Sequence, residues 1–235
     1  MSSLVLLRHG DTDWSEHGRV TGWVDIGLSD TGRQQARAGG RQLADAGAVA
    51  DVVYTSQLRR ARQTAALVVG QWHGPKPVIR ADWRLNERYF GMLQGMDRDA
   101  AVLRFGNAQR QAWLRTFHAA PPTAVGAGVG HRCHASTVAH PVREAETLGQ
   151  LAQRVWGCWQ ERIVGDLAAG LRVLVVAHLG SLRVLRQHLE GRPEDQIPRL
   201  LVAPGIPLGY EYSPGRPGCW RASSGSSVER DGTTG

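Results

Sequence analysis

The chain has 235 residues, 42% of them hydrophobic, and its 28 lysines and arginines outnumber its 21 acidic residues to give a net charge of +7. These values predict one large α/β domain, or two small ones, with a substantial core. No apolar segment reaches membrane-spanning length and the N-terminus lacks a signal-peptide layout, so we expect a cytoplasmic protein without membrane association. The three cysteines are scattered and lack a CxxC pair, which argues against a disulfide framework or a zinc site.

The excess positive charge is carried almost entirely by arginine. A basic surface can bind nucleic acid, whereas converging arginines can bind a small anion. The sequence contains no basic run with interleaved aromatic residues and no recognised nucleic-acid module. We therefore expect a small anionic ligand and no nucleic acid.

The first motif is an apolar run, residues 4–7, that is followed at once by Arg8, His9 and Gly10. The run predicts a buried strand, with Arg8 and His9 at the carboxyl edge of the sheet, where open α/β folds bind ligands. Gly10 is expected to leave one side of the histidine open to a ligand. Two interpretations remain open here: a phosphoryl site with His9 as nucleophile, or a strand that ends in a basic turn.

The next elements predict a helix, a strand and a second helix. Ser29 is suited to cap a helix that ends near Ala46, residues 51–55 form a strand, and Ser56 is expected to cap the helix that follows. Three arginines fall in the first turns of that helix: Arg59, Arg60 and Arg62. Cations are unfavourable at a helix N-terminus unless an anion binds there. They point in different directions, so we expect only one to face a site.

After a short strand near residues 78–80, the polar and aromatic segment 83–91 is typical of a loop packed over a cleft, and it contains Glu87. Two short helices are predicted at 98–105 and 107–118. Segment 121–141 is rich in glycine and histidine and is expected to be a mobile insertion.

Within that insertion, His131, Cys133 and His134 have spacing suggestive of a metal site. The glycine-rich flanks and the absence of paired carboxylates favour the alternative, so we expect no metal.

A second apolar strand, residues 172–177, also ends in a histidine, His178. Before it, Thr147 and Gln150 form a predicted capping box for a helix over 148–167, and a further helix runs from the histidine to about residue 189. Two parallel neighbouring strands would place His9 and His178 side by side. Short strands are predicted at 208–212 and 219–221, and residues 222–235 are expected to be a disordered tail.

These residues suit phosphoryl transfer, which needs a nucleophile, charge neutralisation and a proton donor for the leaving oxygen. His9 can attack as a neutral imidazole. Arg8, Arg60 and His178 would surround the phosphoryl oxygens, and Glu87 would act as acid and then as base. Protein cations replace a metal in this scheme.

Motifs along the chain resemble the histidine phosphatase superfamily and, more narrowly, the cofactor-dependent (2,3-bisphosphoglycerate-dependent) phosphoglycerate mutases. The residues that carry the resemblance are 7–10, 21–23, 28–29, 55–56, 60–61, 83–88, 177–178 and 205–211. The resemblance implies a three-layer α/β/α sandwich on a mostly parallel sheet, as a single domain over 1–221, and a homodimer or homotetramer.

The resemblance also implies a reaction: interconversion of 3-phosphoglycerate and 2-phosphoglycerate through phosphorylated His9, with 2,3-bisphosphoglycerate as primer and intermediate. It assigns catalytic roles to Arg8, His9, Arg60, Glu87 and His178. It implies substrate contacts at Arg8, Ser15, Thr21, Gly22, Arg60, Glu87, Phe90, Arg98, Arg115 and Gly180.

The chain departs from the family pattern at Ser15, Phe90, Arg98, Leu114, Leu179 and Gly180. Leu114 stands where the family has an arginine, and Leu179-Gly180 stands where it has Gly-Asn. These changes remove polar groups that would hold the substrate. Two alternatives therefore stay open: a phosphatase of small phosphorylated metabolites on the same fold, and a non-catalytic phosphate-binding relative.

Overall fold

The computed structural model describes residues 3–123, 145–211 and 221–222. Most of the predicted insertion at 121–141 and nearly all of the predicted tail at 222–235 lie outside these ranges. In the described part of the chain, no helix is both long and apolar enough to cross a membrane.

The centre of the fold is a six-stranded sheet in the order β3-β2-β4-β1-β5-β6. The strands are β1 (Ser3–Arg8), β2 (Val52–Thr55), β3 (Val78–Ala81), β4 (Val173–Ala177), β5 (Pro207–Glu211) and β6 (Arg221–Ala222). The first four strands in this order run parallel. At one edge, β5 pairs antiparallel with β1, and β6 pairs antiparallel with β5. The sheet is therefore mostly parallel, as predicted.

Helices cover both faces of this sheet. They are α1 (Asp13–Glu16), α2 (Asp30–Asp45), α3 (Arg59–Val69), α4 (Arg98–Phe105), α5 (Asn107–Arg115), α6 (Leu148–Cys158), α7 (Val164–Ala168) and α8 (Leu179–Leu189). Alternate residues of β1 face opposite layers. Leu4 and Leu6 belong to the core formed with α6 and α8, whereas Val5 and Leu7 belong to the core formed with α2 and α3. This arrangement confirms the predicted three-layer α/β/α sandwich.

Two predicted helix starts are confirmed by their caps. The Ser29 hydroxyl accepts from the Gly32 amide at 3.0 Å, and Thr147 and Gln150 form a reciprocal capping box. The helix predicted over 148–167 is interrupted, because residues Trp159–Ile163 form a π-helical turn between α6 and α7.

The prediction that Ser56 caps the third helix is wrong. Helix α3 begins at Arg59 after Leu58, whose side chain makes no capping hydrogen bond, and the Arg59 amide donates to Asp25 Oδ1 at 2.6 Å. The Ser56 hydroxyl instead accepts from the Leu58 amide at 3.2 Å and lies 2.7 Å from His178 Nε2. This serine therefore links the turn before α3 to the end of β4.

The role predicted for Gly10, to leave one side of His9 open to a ligand, is also wrong. A Cβ atom at Gly10 would lie 2.1 Å from the Gly32 carbonyl oxygen in the first turn of α2. The glycine therefore permits close approach of a helix backbone rather than of a ligand. This contact fixes α2 against the end of β1, beside His9.

We predict that Gly10→Ala lowers the free energy of unfolding by about 1–3 kcal/mol, because backbone atoms cannot move aside as a flexible side chain would. Gly165→Ala is the matched control, since nothing lies within 4 Å of a Cβ there. Urea unfolding of both variants measures the difference. Equal stability of the two variants would contradict the packing argument.

Candidate active site

The two strand-end histidines lie side by side, as predicted. Strands β1 and β4 are parallel neighbours, with Arg8 paired to Ala177 in the register. The His9 amide donates to the Ala177 carbonyl at 3.0 Å, and the centroids of the His9 and His178 rings are 4.9 Å apart. The sheet itself therefore sets the spacing of the two imidazoles.

Hydrogen bonds define the state of the His9 ring. Its Nδ1 atom lies 2.7 Å from the Gly10 carbonyl oxygen, which can only accept, so Nδ1 carries the proton. Arg60 Nε donates to Nε2 at 3.3 Å. Burial lowers the pKa of His9 well below its usual value, and the nearby Arg60 and Arg8 lower it further. His9 is therefore a neutral imidazole whose Nε2 lone pair faces the Arg60 guanidinium.

His178 is fully buried, and burial followed by the charge of Arg60 lowers its pKa well below the usual value. Its Nε2 atom contacts Ser56, but its buried Nδ1 atom has no hydrogen-bond partner among the described residues. The buried Nε atom of Arg8 likewise has none within the described ranges. A buried polar atom without a partner is costly. One of these two atoms belongs to the residue before His9, and the other belongs to the neighbouring ring of His178.

Arg60 is the buried cation of the site, with 1% of its surface exposed. Its Nη1 and Nη2 atoms donate to the carbonyls of Val24 and Gly22 at 3.1 and 2.7 Å. Burial lowers the pKa of Arg60 to about 10, which leaves it charged at neutral pH. Arg59 and Arg62 are exposed. Only one of the three arginines of α3 thus contacts His9, as predicted.

The Glu87 carboxylate is held by backbone amides. Its Oε1 atom accepts from the Arg88 amide at 2.8 Å and from the Gly180 amide at 3.2 Å. A Cβ at Gly180 would lie 2.4 Å from the same oxygen, so a larger residue here would displace the Glu87 carboxylate from this position. The carboxylate also raises the pKa values of Arg8 and Arg60 against the lowering caused by their burial. The negative charge of Glu87 therefore acts on both cations.

A buried ion pair supports the loop that carries Glu87. Arg154 of α6 contacts Glu146 at 2.6 Å. Its guanidinium also donates to three backbone carbonyls of that loop, those of Arg84, Asn86 and Glu87, each at 2.8 Å. Sequence reasoning missed Arg154. The available signal was a charged residue between Leu151 and Val155, on the apolar stripe of α6.

A cleft of about 470 Å³ opens beside Glu87. The sequence-predicted residues that line it are Glu87, Phe90, Arg98, Arg115 and Gly180. Arg110, Gln111 and Arg183 also line it and were not predicted. Arg183 follows Gly180 by three residues on α8, a spacing that puts both on one helix face. Arg110 lies one turn before Leu114, so Leu114 does not leave this face of α5 without a cation.

The structure does not bring Ser15 or Thr21 to the lining of this cleft. The Ser15 hydroxyl donates to Asp11 Oδ1 at 3.0 Å and accepts from the Thr12 amide at 2.8 Å, within the cap of α1. The Thr21 carbonyl accepts from the Val24 amide at 3.1 Å. Gly22, by contrast, reaches the site through its carbonyl bond to Arg60.

No group of three or more potential metal-ligating residues occurs among the residues that the structure describes. His131, Cys133 and His134, whose spacing suggested a metal, lie outside those residues.

Comparison with known proteins gives consistent matches. The family model described as "Histidine phosphatase superfamily (branch 1)" matches residues 4–220. A phosphoglycerate mutase of Candida albicans is 40% identical over 90% of this chain and 87% of its own. A 2,3-bisphosphoglycerate-dependent phosphoglycerate mutase of Thermobifida fusca is 39% identical over 91% of this chain and 88% of its own.

Solved structures are similar as well. One named "Mycobacterial hydrolase 1" has a TM-score of 0.74 and 25% identity, and covers 97% of this chain and 99% of its own. A mycobacterial glucosyl-3-phosphoglycerate phosphatase has a TM-score of 0.70 and 26% identity, with coverage of 94% and 97%.

We predict that the free energy of unfolding falls as pH drops from about 6.5 to 5. The pKa values of His9 and His178 are depressed in the folded state, so the unfolded chain binds protons in this range that the folded chain does not. Each histidine adds a slope of up to about 1.4 kcal/mol per pH unit.

Urea titrations of the wild type and of His9→Asn across this pH range measure the effect. The variant should show a shallower slope, since one of the two buried imidazoles is gone. An unchanged slope would mean that His9 does not stay neutral in the folded protein.

Proposed function

The chain belongs to the histidine phosphatase superfamily, and on that premise we propose that it is a 2,3-bisphosphoglycerate-dependent phosphoglycerate mutase. It interconverts 3-phosphoglycerate and 2-phosphoglycerate through a phosphohistidine. The observation that carries this proposal is that Arg60 Nε donates to His9 Nε2, while the buried Arg8 Nε and His178 Nδ1 atoms have no hydrogen-bond partner among the described residues. The oxygens of a bound phosphoryl group would accept hydrogen bonds from all three side chains.

In the first half-reaction, the lone pair of His9 Nε2 forms a bond to phosphorus as the phosphorus–oxygen bond of the ester breaks. The developing charge on the equatorial oxygens is stabilised by Arg8, Arg60 and His178. Glu87 gives a proton to the leaving oxygen and removes one from the accepting hydroxyl in the second half-reaction. Because Nδ1 of His9 donates to Gly10, the ring is already oriented for attack through Nε2.

The residues present fit 2,3-bisphosphoglycerate as the primer, since they provide two separated cationic regions. One phosphate would bind at Arg8, Arg60 and His178. The rest of the molecule would lie in the cleft beyond Glu87, where Arg98 and Arg115 line the wall. When bound, the primer supplies the phosphoryl group that loads His9.

A phosphatase of small phosphorylated metabolites is the second candidate. The observation that favours it is that Leu114 and Leu179 line the cleft and offer no hydrogen bond to a ligand. A ligand held less firmly leaves before it is phosphorylated again, so water then receives the phosphoryl group from His9. A phosphatase among the similar structures adds support to this alternative.

A coupled enolase assay distinguishes the two candidates. We expect 3-phosphoglycerate to be converted at a rate that rises when 2,3-bisphosphoglycerate is added. Release of inorganic phosphate without formation of 2-phosphoglycerate would contradict the mutase proposal and support the phosphatase.

We predict that Glu87→Gln lowers kcat by about 10²–10⁴-fold, because the amide keeps the shape of the side chain but cannot give or take the proton. The matched control is Glu161→Gln, a change of the same chemistry at an exposed position paired with Arg84. The control should retain wild-type turnover. A loss of less than threefold in Glu87→Gln, or equal losses in both variants, would remove Glu87 from the proposed mechanism.

A further inference from the structure

The cleft that Glu87 lines is also lined by a cation, Arg110, that no sequence motif identified. Arg110 and Leu114 both line the cleft and are four residues apart on α5, so they lie on one face of that helix. We propose that Arg110 is a specificity-determining residue, which supplies from one turn earlier the positive charge that binds the carboxylate of the substrate. This inference rests on the proposed function, because it names the group that recognises the second anion.

Arg110 converges with two further arginines. Arg98 of α4 and Arg115 at the end of α5 line the same cleft. All three guanidinium-bearing residues line one cleft, and after burial the charges of Arg98 and Arg115 are what lower the pKa of Arg110. Like charges repel, so this cluster favours a bound anion.

The part of the chain that the structure describes contains no acidic partner for this cluster. Within residues 3–123 and 145–211, no carboxylate lies in ion-pair distance of Arg98, Arg110 or Arg115. The arginines that do form ion pairs in these ranges are Arg33, Arg80, Arg84, Arg154, Arg162, Arg172, Arg186 and Arg192. The positive charge facing the cleft is therefore available to a ligand.

The ligand chemistry follows from the two ends of the site. Glu87, Leu179 and Gly180 line the cleft, and the last two directly follow His178, whose ring is 4.9 Å from that of His9, so the cleft lies beside the site around His9. A ligand with a phosphate at His9 and a carboxylate at Arg110 would match both ends. A phosphate ester without the carboxylate would match only one.

The test compares two ligands that differ in this group alone, 3-phosphoglycerate and glycerol 3-phosphate. Their dissociation constants are measured by calorimetry on His9→Ala protein, which cannot be phosphorylated at that position. The added variants are Arg110→Ala, Arg110→Lys, the double change Arg110→Ala with Leu114→Arg, and the control Arg104→Ala. Arg104 is exposed on α4, stacks on Phe105 and does not line the cleft.

We expect Arg110→Ala to weaken binding of 3-phosphoglycerate by about tenfold or more, as loss of a charge-assisted hydrogen bond does, and to leave glycerol 3-phosphate within twofold. Arg110→Lys and the double variant should recover part of the preference, and Arg104→Ala should keep all of it. A general structural defect would weaken both ligands equally, and that outcome overturns the inference.

The test also separates this inference from the proposed function. If the parent protein prefers 3-phosphoglycerate and Arg110→Ala keeps that preference, the inference is wrong and the mutase proposal stands. If Arg110→Ala abolishes the preference but the coupled assay detects no 2-phosphoglycerate, the inference stands and the mutase proposal fails. A parent protein without any preference overturns both.

Discussion

The site depends on two neutral imidazoles that are buried near two arginines, Arg8 and Arg60, at the carboxyl edge of a parallel sheet. The pairing of β1 with β4 fixes His9 beside His178, and Arg60 donates to His9. Burying cations and polar groups without partners costs free energy. An anion that accepts from Arg8 Nε and His178 Nδ1 recovers part of this cost, so the fold holds a region that is complementary to a phosphoryl group before any ligand binds.

Two close backbone approaches and one buried ion pair hold this region in place. Gly10 lets the first turn of α2 contact the end of β1, and Gly180 lets Glu87 accept from the start of α8. Arg154 and Glu146 fix the loop that carries Glu87. The first contact involves the layer of α2 and α3, and the other two involve the layer of α6 and α8, so both layers meet at the same sheet edge. The catalytic geometry is therefore a property of the whole fold rather than of one motif.

Local patterns in the sequence were sufficient for the individual strands, the helix caps at Ser29 and Thr147, and the pairing of the two histidines, whereas the mostly parallel sheet was predicted from the family resemblance. They were not sufficient for contacts between distant segments. Ser56 contacts His178 at the end of the neighbouring strand β4 instead of capping α3, and Gly10 faces Gly32 rather than a ligand. Arg110 has no motif around it, so only the packing of α4 against α5 brings it to the cleft.

Mass spectrometry of the intact protein after incubation with 2,3-bisphosphoglycerate tests whether His9 is the nucleophile, with His9→Ala and the exposed-site control His73→Ala alongside. We predict that the wild type and His73→Ala gain a single acid-labile phosphoryl group, which peptide mapping assigns to His9, and that His9→Ala gains none. Absence of the phosphoryl group from the wild type, or its persistence in His9→Ala, would contradict the assignment of His9 as the nucleophile.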